Sequence, residues 1–170
     1  MKHLKTLVLL AIFTVGLGGV ANAQKVGHID TDKLIANMPA TKAMELEIKK
    51  MQKSYKDDVD KLIKAYQDKL QKYSAEEKAQ TPATNEARKQ ELQQDAAKAQ
   101  QAEKFAGEEL QKKYNELLKP ILEAAQKAIK EVANEKSVIY VLDAKAGSGL
   151  LIFEKGLDLY EDVKKKLGFL

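Results

Sequence analysis

An apolar stripe that repeats every eleven residues constrains this chain more than any other feature. Large apolar side chains follow one another at steps of three and four residues, which makes Met44, Tyr55 and Tyr66 equivalent positions. A period of about 3.67 residues keeps one face of an α-helix apolar along its whole length. The spacing recurs between Leu110 and Ile121 in a second helical stretch. The pattern predicts an arm of two long helices, which is more typical of binding than of catalysis. The stripe comprises Met44, Ile48, Met51, Tyr55, Val59, Leu62, Tyr66, Leu70 and Tyr73.

Residues 1–23 predict a secretory signal peptide. Lys2 and Lys5 supply a positive start, residues 7–20 are apolar, and an Ala-Asn-Ala run then ends at Ala23. The apolar run contains glycines and is shorter than the about 20 residues that a membrane span needs, which disfavours an uncleaved anchor. We therefore expect cleavage after Ala23 and a soluble, exported mature protein.

The composition excludes several classes of protein. The chain has no cysteine, so an exported form has neither disulfides nor a lipid-bearing thiol and must be held by packing or oligomerisation. Loss of the two signal lysines lowers the net charge from +4 to +2, and basic residues are interleaved with acidic ones. This balance argues against a nucleic-acid partner.

The mature chain is predicted to begin with a short strand at 25–30. Asp30 or Thr31 can cap a short helix, which Pro39 stops because the residue before proline disfavours helix. Because this strand, the later strands and the last helix all lie outside the helical arm, we expect them to form one small head.

The two long helices have recognisable starts. Thr41 is predicted to cap the first helix, and Ser74 has the spacing of a capping box that opens a short turn. Thr81-Pro82 then predicts the cap and first turn of the returning helix, at about 82–134. The chain is therefore expected to reverse between 74 and 85.

Two residues can disturb the returning helix. Gly107 weakens a helix, and Pro120 removes one of its hydrogen bonds and favours a kink. Both are compatible with a tolerated irregularity or with a pivot that lets the arm open and close.

The C-terminal segment completes the predicted head. A β-branched run at 137–143 predicts a strand, 144–149 a loop, and 150–153 another strand. Asp158 and Glu161 can form the capping-box-like start of a last helix, and Gly168 can end it. The predicted organisation is a signal peptide at 1–23, a β-containing oligomerisation head at 24–40 and 135–170, and a helical hairpin at 41–134.

This head is too small to be stable alone, and neither a metal nor a disulfide is available to hold it. We therefore expect a homo-oligomer built through exposed strand edges in the head. The strand residues beside the expected seam are Val26, Ile29, Ile139 and Ile152.

The sequence assigns no catalytic, cofactor-binding or metal-binding residue. His28 with Asp30 could hold a metal ion, but no third ligand is evident. The Gly147-Ser148-Gly149 loop joins two predicted strands and lacks the lysine and helix of a phosphate-binding loop. Asp30, Asp143 and Asp158 could pair in space, but turns and caps are their more common use. We expect no enzyme activity, no cofactor and no small-molecule substrate.

Four tyrosines, at 55, 66, 73 and 114, fall on or near the apolar faces. An aromatic residue at helical spacing is usually packed in a core. The alternative is that part of this face lines a cavity, because tyrosine and flexible methionine suit a surface that repacks against many apolar sequences.

Both ends of the mature chain resemble the Skp/OmpH-like family of periplasmic chaperones. The similarity covers the start at 25–39, Lys-Val-Gly-His-Ile-Asp-Thr-Asp-Lys-Leu-Ile-Ala-Asn-Met-Pro. It continues in 129–132, Val-Ile-Tyr-Val-Leu-Asp-Ala at 138–144, Leu-Leu-Ile-Phe at 150–153, and 158–168. The order of these segments around a long helical insertion makes the match fairly specific.

The resemblance implies a mainly α-helical, Skp-like trimer with a small β-rich head and three helical tentacles that enclose a cavity. It implies an ATP-independent holdase of the periplasm that keeps unfolded outer-membrane β-barrel proteins soluble. Two features depart from the family pattern. The tip at 69–91 has five basic and four acidic residues, so lipid or lipopolysaccharide contact there is not expected. Tyr160 stands where a small hydroxyl residue is frequent.

The alternative function is an exported scaffold, in which the helices form a permanent coiled coil with a fixed partner. A holdase should leave apolar helix faces partly exposed, whereas a scaffold should bury its seam fully. The sequence alone does not distinguish the apolar positions that face a cavity from those that pack the two helices together.

Overall fold

The structure, a computed structural model, describes residues 25–151 and 155–169. The expected signal peptide and two residues of the expected 150–153 strand, Ile152 and Phe153, lie outside these ranges. In chain order the elements are β1 Lys25–Ile29, α1 Thr31–Asn37, α2 Pro39–Glu76, a 3₁₀ turn Glu77–Ala79, α3 Pro82–Glu135, β2 Val138–Asp143, β3 Leu157–Asp158 and α4 Tyr160–Lys166.

The described strands form a parallel sheet in the order β2-β1-β3. Parallel neighbours need long connections, and the hairpin α2–α3 is the connection between β1 and β2. The predicted seam is partly wrong, because Val26 and Ile29 lie in the central strand and Ile29 is buried. Ile139 does lie in an edge strand, β2.

The prediction of a strand at 150–153 is wrong for the two residues that can be described. Leu150 and Leu151 belong to no strand and follow a loop with positive φ at Gly147 and Gly149. The free edge of β1 is instead occupied by β3, after which Leu159 is fully buried. Gly27 permits this approach, since a Cβ there would lie 3.1 Å from the Leu159 side chain.

The structure confirms one predicted helix start near the head and corrects another. The Asp30 carboxylate accepts a hydrogen bond from the Lys33 N–H at 2.8 Å and caps α1. Thr41, however, does not cap the first long helix: α2 begins at Pro39, and Thr41 is buried in its first turn. Proline suits the first helical position because its φ is already helical and its missing N–H would have no partner there.

The two long helices run antiparallel and are joined by a short reversal. The Thr81 hydroxyl accepts from the Thr84 N–H at 3.2 Å, which confirms the predicted cap of α3. Ser74 is not a cap, because α2 continues through it to Glu76 and the short turn is the 3₁₀ segment that follows. The helix α3 continues through both Gly107 and Pro120.

The predicted capping-box start of the last helix is wrong: α4 begins at Tyr160, and no side chain caps it at Leu159, its N-cap. The Asp158 carboxylate accepts from the Tyr160 N–H at 2.9 Å just before the helix, and Glu161 binds Lys164. Gly168 follows the helix with φ of 78°, a conformation that favours glycine at a helix end.

The apolar core lies between the sheet and the head end of the hairpin. It comprises Ile29, Leu34, Met38, Met44, Ile121, Ala125, Ala128, Val132, Ala133, Val138, Leu159 and Val163. Ion pairs then tie α4 to the end of α3: Lys166 lies 2.7 Å from the Glu135 carboxylate, and Lys136, which directly follows α3, lies 2.8 Å from Asp162. Beyond this core, the long helices of the described chain pack mainly against each other.

Candidate binding surface

The seam between α2 and α3 is only half closed. The stripe on α2 faces α3, yet beyond Met44 no residue of α2 is buried. On α3, Ala106 is the only buried residue before Ile121. Two helices alone cannot cover each other's apolar faces, which leaves a continuous strip of partly exposed apolar surface along the hairpin.

Small side chains make the middle of the seam thin. Ala99, Ala102 and Ala106 face α2 where a coiled coil would place larger residues. Tyr55 meets Phe105 edge to face, with ring centroids 6.3 Å apart, but 55% of Phe105 remains exposed. Packing of α2 against α3 therefore contributes little stability to this part of the hairpin, and aromatic surface remains exposed to solvent.

Towards the reversal, one edge of the seam is closed by charged groups. The Lys69 ammonium lies 2.6 Å from the Glu91 carboxylate and 2.5 Å from that of Asp95. The Tyr73 hydroxyl donates to Glu91 at 2.6 Å. Hydrogen bonds from Lys69 lower the pKa of both carboxylates, and the same hydrogen bonds to Asp95 and Glu91 raise the pKa of Lys69. We call Lys69, Tyr73, Glu91 and Asp95 the tip cluster.

Arg88 adds a second polar link between the helices. Its guanidinium lies over the Tyr73 ring at 4.4 Å, and one nitrogen lies 2.6 Å from the Glu76 carboxylate. The other terminal nitrogen, Nη1, is buried without a hydrogen-bond partner. Stacking on an aromatic ring holds the guanidinium in a fixed position at the seam.

The opposite edge of the seam opens into a groove of about 620 Å³ beside the reversal, which we call the distal groove. Tyr66, Leu70, Leu92 and Ala96 supply its apolar surface. The remaining lining residues are Tyr73, Ser74, Glu77, Pro82, Asn85, Glu86, Arg88, Lys89 and Gln93.

A second groove, of about 330 Å³, lies where the hairpin meets the head. Its lining is almost entirely apolar: Met38, Ala40, Ala43, Met44, Glu47, Leu117, Pro120, Ile121 and Ala124. Pro120, a candidate pivot, therefore lines an open groove.

Large apolar side chains are also exposed singly on both parts of the molecule. On the hairpin they are Leu46, Ile63, Leu70, Phe105, Tyr114 and Leu122. On the head they are Val26, Ile139, Tyr140, Leu142, Leu151 and Leu157. Single exposed apolar side chains are normal at a protein surface, so the continuous strip along the seam, and not these residues one by one, indicates contact with other apolar surfaces.

The three aspartates considered as a carboxylate set each bind backbone N–H groups. Asp30 and Asp158 do so at helix starts, while Asp143 accepts from the Thr31 N–H and hydroxyl and from the Lys145 N–H. Burial raises the pKa of Asp143, but these hydrogen bonds outweigh burial and hold the pKa below its ordinary value. The three carboxylates act as caps and turn formers.

His28 lies beside two of these aspartates. The residue is buried and lines a small cavity of about 160 Å³ with Asp30 and Asp158. Among the described residues no group of three or more histidines and carboxylates is placed to hold a metal ion. Within the same residues no helix is long and apolar enough to cross a membrane.

The structure divides the four tyrosines between two environments. Tyr55, Tyr66 and Tyr73 are partly buried at the seam, and Tyr66 and Tyr73 also line the distal groove. Tyr114 lies on the hairpin surface with 40% of its area exposed. The two alternatives, core packing and cavity lining, are therefore not exclusive. The rings of Tyr66 and Tyr73 pack at the seam and also line the groove.

Sequence reasoning missed the difference between the two edges of the seam. The available signal was Lys69, which directly precedes the stripe residue Leu70, together with Glu91 and Asp95 four residues apart on the other helix. Charges at these positions indicate where the seam is polar, but only the pairing of the helices shows that they meet.

Comparison with known proteins connects this architecture to a family. The sequence model of the outer membrane protein (OmpH-like) family matches residues 25–167. A crystal structure from Caulobacter crescentus, described as a candidate outer membrane chaperone (OmpH-like), superposes with a TM-score of 0.76. The two chains are 14% identical, and the match covers 85% of this chain and 83% of the other. The two proteins thus share the fold of a helical hairpin with a small β part. A comparison with curated proteins finds no match.

Proposed function

The chain belongs to the outer membrane protein (OmpH-like) family, and from this membership we propose that it is an ATP-independent holdase of the bacterial periplasm. Its clients are unfolded outer-membrane β-barrel proteins, whose aggregation it prevents before they insert into the membrane. Family membership supports a chaperone role in general. The holdase activity and its clients are our proposal.

The half-open seam is the observation that carries this proposal. Over most of the hairpin, apolar side chains remain partly exposed, and Phe105 and Tyr114 present aromatic surface to solvent. An unfolded β-barrel protein exposes alternating apolar residues that need temporary cover. Many weak apolar contacts can provide this cover without a nucleotide, and folding of the client then drives its release.

We propose that the working form is a homotrimer whose heads associate and whose hairpins surround the client. The small head supports this, because its core is shared with the hairpin base and its sheet leaves apolar residues exposed. We further propose that residues 1–23 direct export and are removed after Ala23. No catalytic chemistry, cofactor or nucleic-acid contact is part of the proposal.

The alternative is an exported scaffold with one fixed coiled-coil partner. A fixed coiled-coil partner should pack against a regular seam of large apolar side chains. The alanines in the middle of the α2–α3 seam give a partner helix little side-chain surface to pack against. The open seam therefore favours a transient, adaptable partner.

One experiment tests the proposal. A urea-unfolded outer-membrane β-barrel protein is diluted into the purified mature chain, and light scattering weighs the soluble species beside a client-free control. We expect a trimer that gains about one client mass and suppresses aggregation. An oligomer that leaves the client to precipitate would contradict the holdase role and favour the scaffold.

A further inference from the structure

The distal groove has the composition of a peptide-binding site. Its volume of about 620 Å³ lies within the range of ligand-binding clefts. The apolar part consists of Tyr66, Leu70, Leu92 and Ala96, two large residues from α2 and a large and a small one from α3. The small Ala96 leaves room between the larger side chains, so that the groove is concave rather than flat.

The groove carries charges of both signs and no net positive charge. Glu77 and Glu86 carry two negative charges and Lys89 a positive one, while the charge of Arg88 is paired with Glu76. The neutral side chains of the lining, including Asn85, supply further hydrogen-bond donors and acceptors. An anionic lipid headgroup would need a net positive site, whereas the N–H and C=O groups of an extended peptide need both kinds of partner.

Polar links join the two helices that form the groove. Lys69 joins the helices through Glu91 and Asp95, and Arg88 fixes the Tyr73 ring that forms part of the groove. These links keep the two helices in register even when the groove is empty. A preformed site lowers the ordering cost of binding.

We infer that the distal groove is a docking site for apolar side chains of an extended, unfolded polypeptide. This inference rests on the proposed function and locates one contact of the client at the tip of the hairpin. Client side chains at alternating positions enter between Leu70 and Leu92, while the peptide backbone between them meets the mixed polar rim. The site selects for apolar, extended segments and not for a particular sequence.

A matched pair of substitutions tests the inference. Leu70→Gln removes apolar surface from the groove, and Leu46→Gln makes the same change at an exposed position of α2 outside it. Both leucines are exposed, at 43% and 62%, so both variants should fold, which circular dichroism checks. Affinity for an unfolded, dye-labelled β-barrel protein should fall about threefold to tenfold for Leu70→Gln and stay near wild type for Leu46→Gln. Equal losses would overturn the inference.

A second substitution distinguishes client binding in the groove from a general effect of apolar surface on affinity. Ala96→Phe fills the space between Tyr66, Leu70 and Leu92 and adds apolar surface to the hairpin. Weaker client binding by Ala96→Phe is the expected result. Unchanged or tighter binding would show that total apolar surface decides affinity, and would overturn the inference.

A single dye label identifies what binds in the groove. Because the chain has no cysteine, an introduced cysteine is its one thiol and is labelled specifically. Leu70→Cys carries an environment-sensitive dye, and three probes are compared: the unfolded β-barrel protein, vesicles of phosphatidylglycerol, and unlabelled protein itself. We expect a blue shift with the β-barrel protein alone. A shift with vesicles or with a second copy, and none with the client, would overturn the inference.

Failure of the proposed function and failure of the groove are distinguishable. If the wild-type protein does not suppress client aggregation, the proposed function is wrong. If it does and the groove variants bind the client as wild type does, only the inference about the groove is wrong.

Discussion

Two glycines of this chain have opposite surroundings and therefore predict opposite effects on stability. A Cβ at Gly27 would lie 3.1 Å from the side chains of Leu159 and Val138, both buried in the head, whereas a Cβ at Gly107 would meet nothing within 4 Å. Gly27→Ala should lower the free energy of unfolding by about 1–3 kcal/mol because it overpacks the core. Gly107→Ala should raise it by about 1 kcal/mol because alanine favours helix. Urea unfolding at one protein concentration measures both, and a neutral Gly27→Ala would contradict the close approach of Leu159.

Asp143 connects the end of β2 to the start of α1 and predicts an acid-sensitive contact. Its hydrogen bonds from Thr31 and Lys145 hold its pKa below the ordinary value of 3.8. A carboxylate with a lowered folded-state pKa stabilises the protein above about pH 4, and this contribution is lost as the pH falls through the folded-state pKa. Asp143→Asn should therefore be less stable than wild type at pH 7, and the difference should shrink below pH 4.

Chemical denaturation across this pH range measures the effect. Asp32→Asn, which removes an exposed carboxylate of the same region, is the matched control for the loss of one charge. A constant difference between wild type and Asp143→Asn from pH 7 to pH 2.5 would contradict the assignment.

At the scale of elements, the tip cluster joins α2 and α3 through charged groups, whereas the apolar stripe joins them through apolar contacts. Near the reversal Lys69, which flanks the stripe, pairs with Glu91 and Asp95 across the seam. Lys69→Met keeps the length of the side chain and leaves the two carboxylates without their cation. We expect faster amide hydrogen exchange at 66–76 and 88–96 in this variant at pH 7, because like charges then repel at the seam.

Lys64→Met is the control, since Lys64 binds Asp68 within α2 at 3.2 Å and joins no helices. Lys69 lowers the pKa of Glu91 and Asp95, so the pairing is complete above their ordinary pKa and is lost as the pH falls through the folded-state values. The difference from wild type should therefore disappear in strong acid. Equal exchange in the two variants at pH 7 would refute a role of the tip cluster in holding the hairpin.

The sequence predicted the long helices well, but local cap signals only in part. The caps at Asp30 and Thr81 are as predicted, whereas Thr41 and Ser74 carry the same local signal and lie inside α2, which begins at Pro39. Of the strand predicted at 150–153, Leu150 and Leu151 lie in no strand, because an apolar run becomes a strand only where it pairs with a neighbour, and β3 takes the place beside β1. The two unlike edges of the seam also escaped prediction, because a single helix does not show which charges it will meet.

At the scale of the whole molecule, the head leaves apolar surface exposed that a single copy does not cover. In the sheet, Val26 stands beside Tyr140, and 65% of Tyr140 is exposed. Leu142 and Ile139 continue this apolar surface along β2. An exposed edge strand of this kind invites association with another chain. The proposed trimer would place β2 of each copy at the interface.

Tyr140→Lys tests this arrangement. A lysine on this surface would have to lose its hydration in the interface, so trimer association should weaken about tenfold or more. Tyr114→Lys makes the same change on the hairpin, where Tyr114 is 40% exposed, and should leave the trimer intact. Sedimentation velocity over a range of concentrations distinguishes the species. If Tyr140→Lys remains a trimer and Tyr114→Lys dissociates, the copies associate through their hairpins, and the exposed seam would then serve assembly instead of client binding.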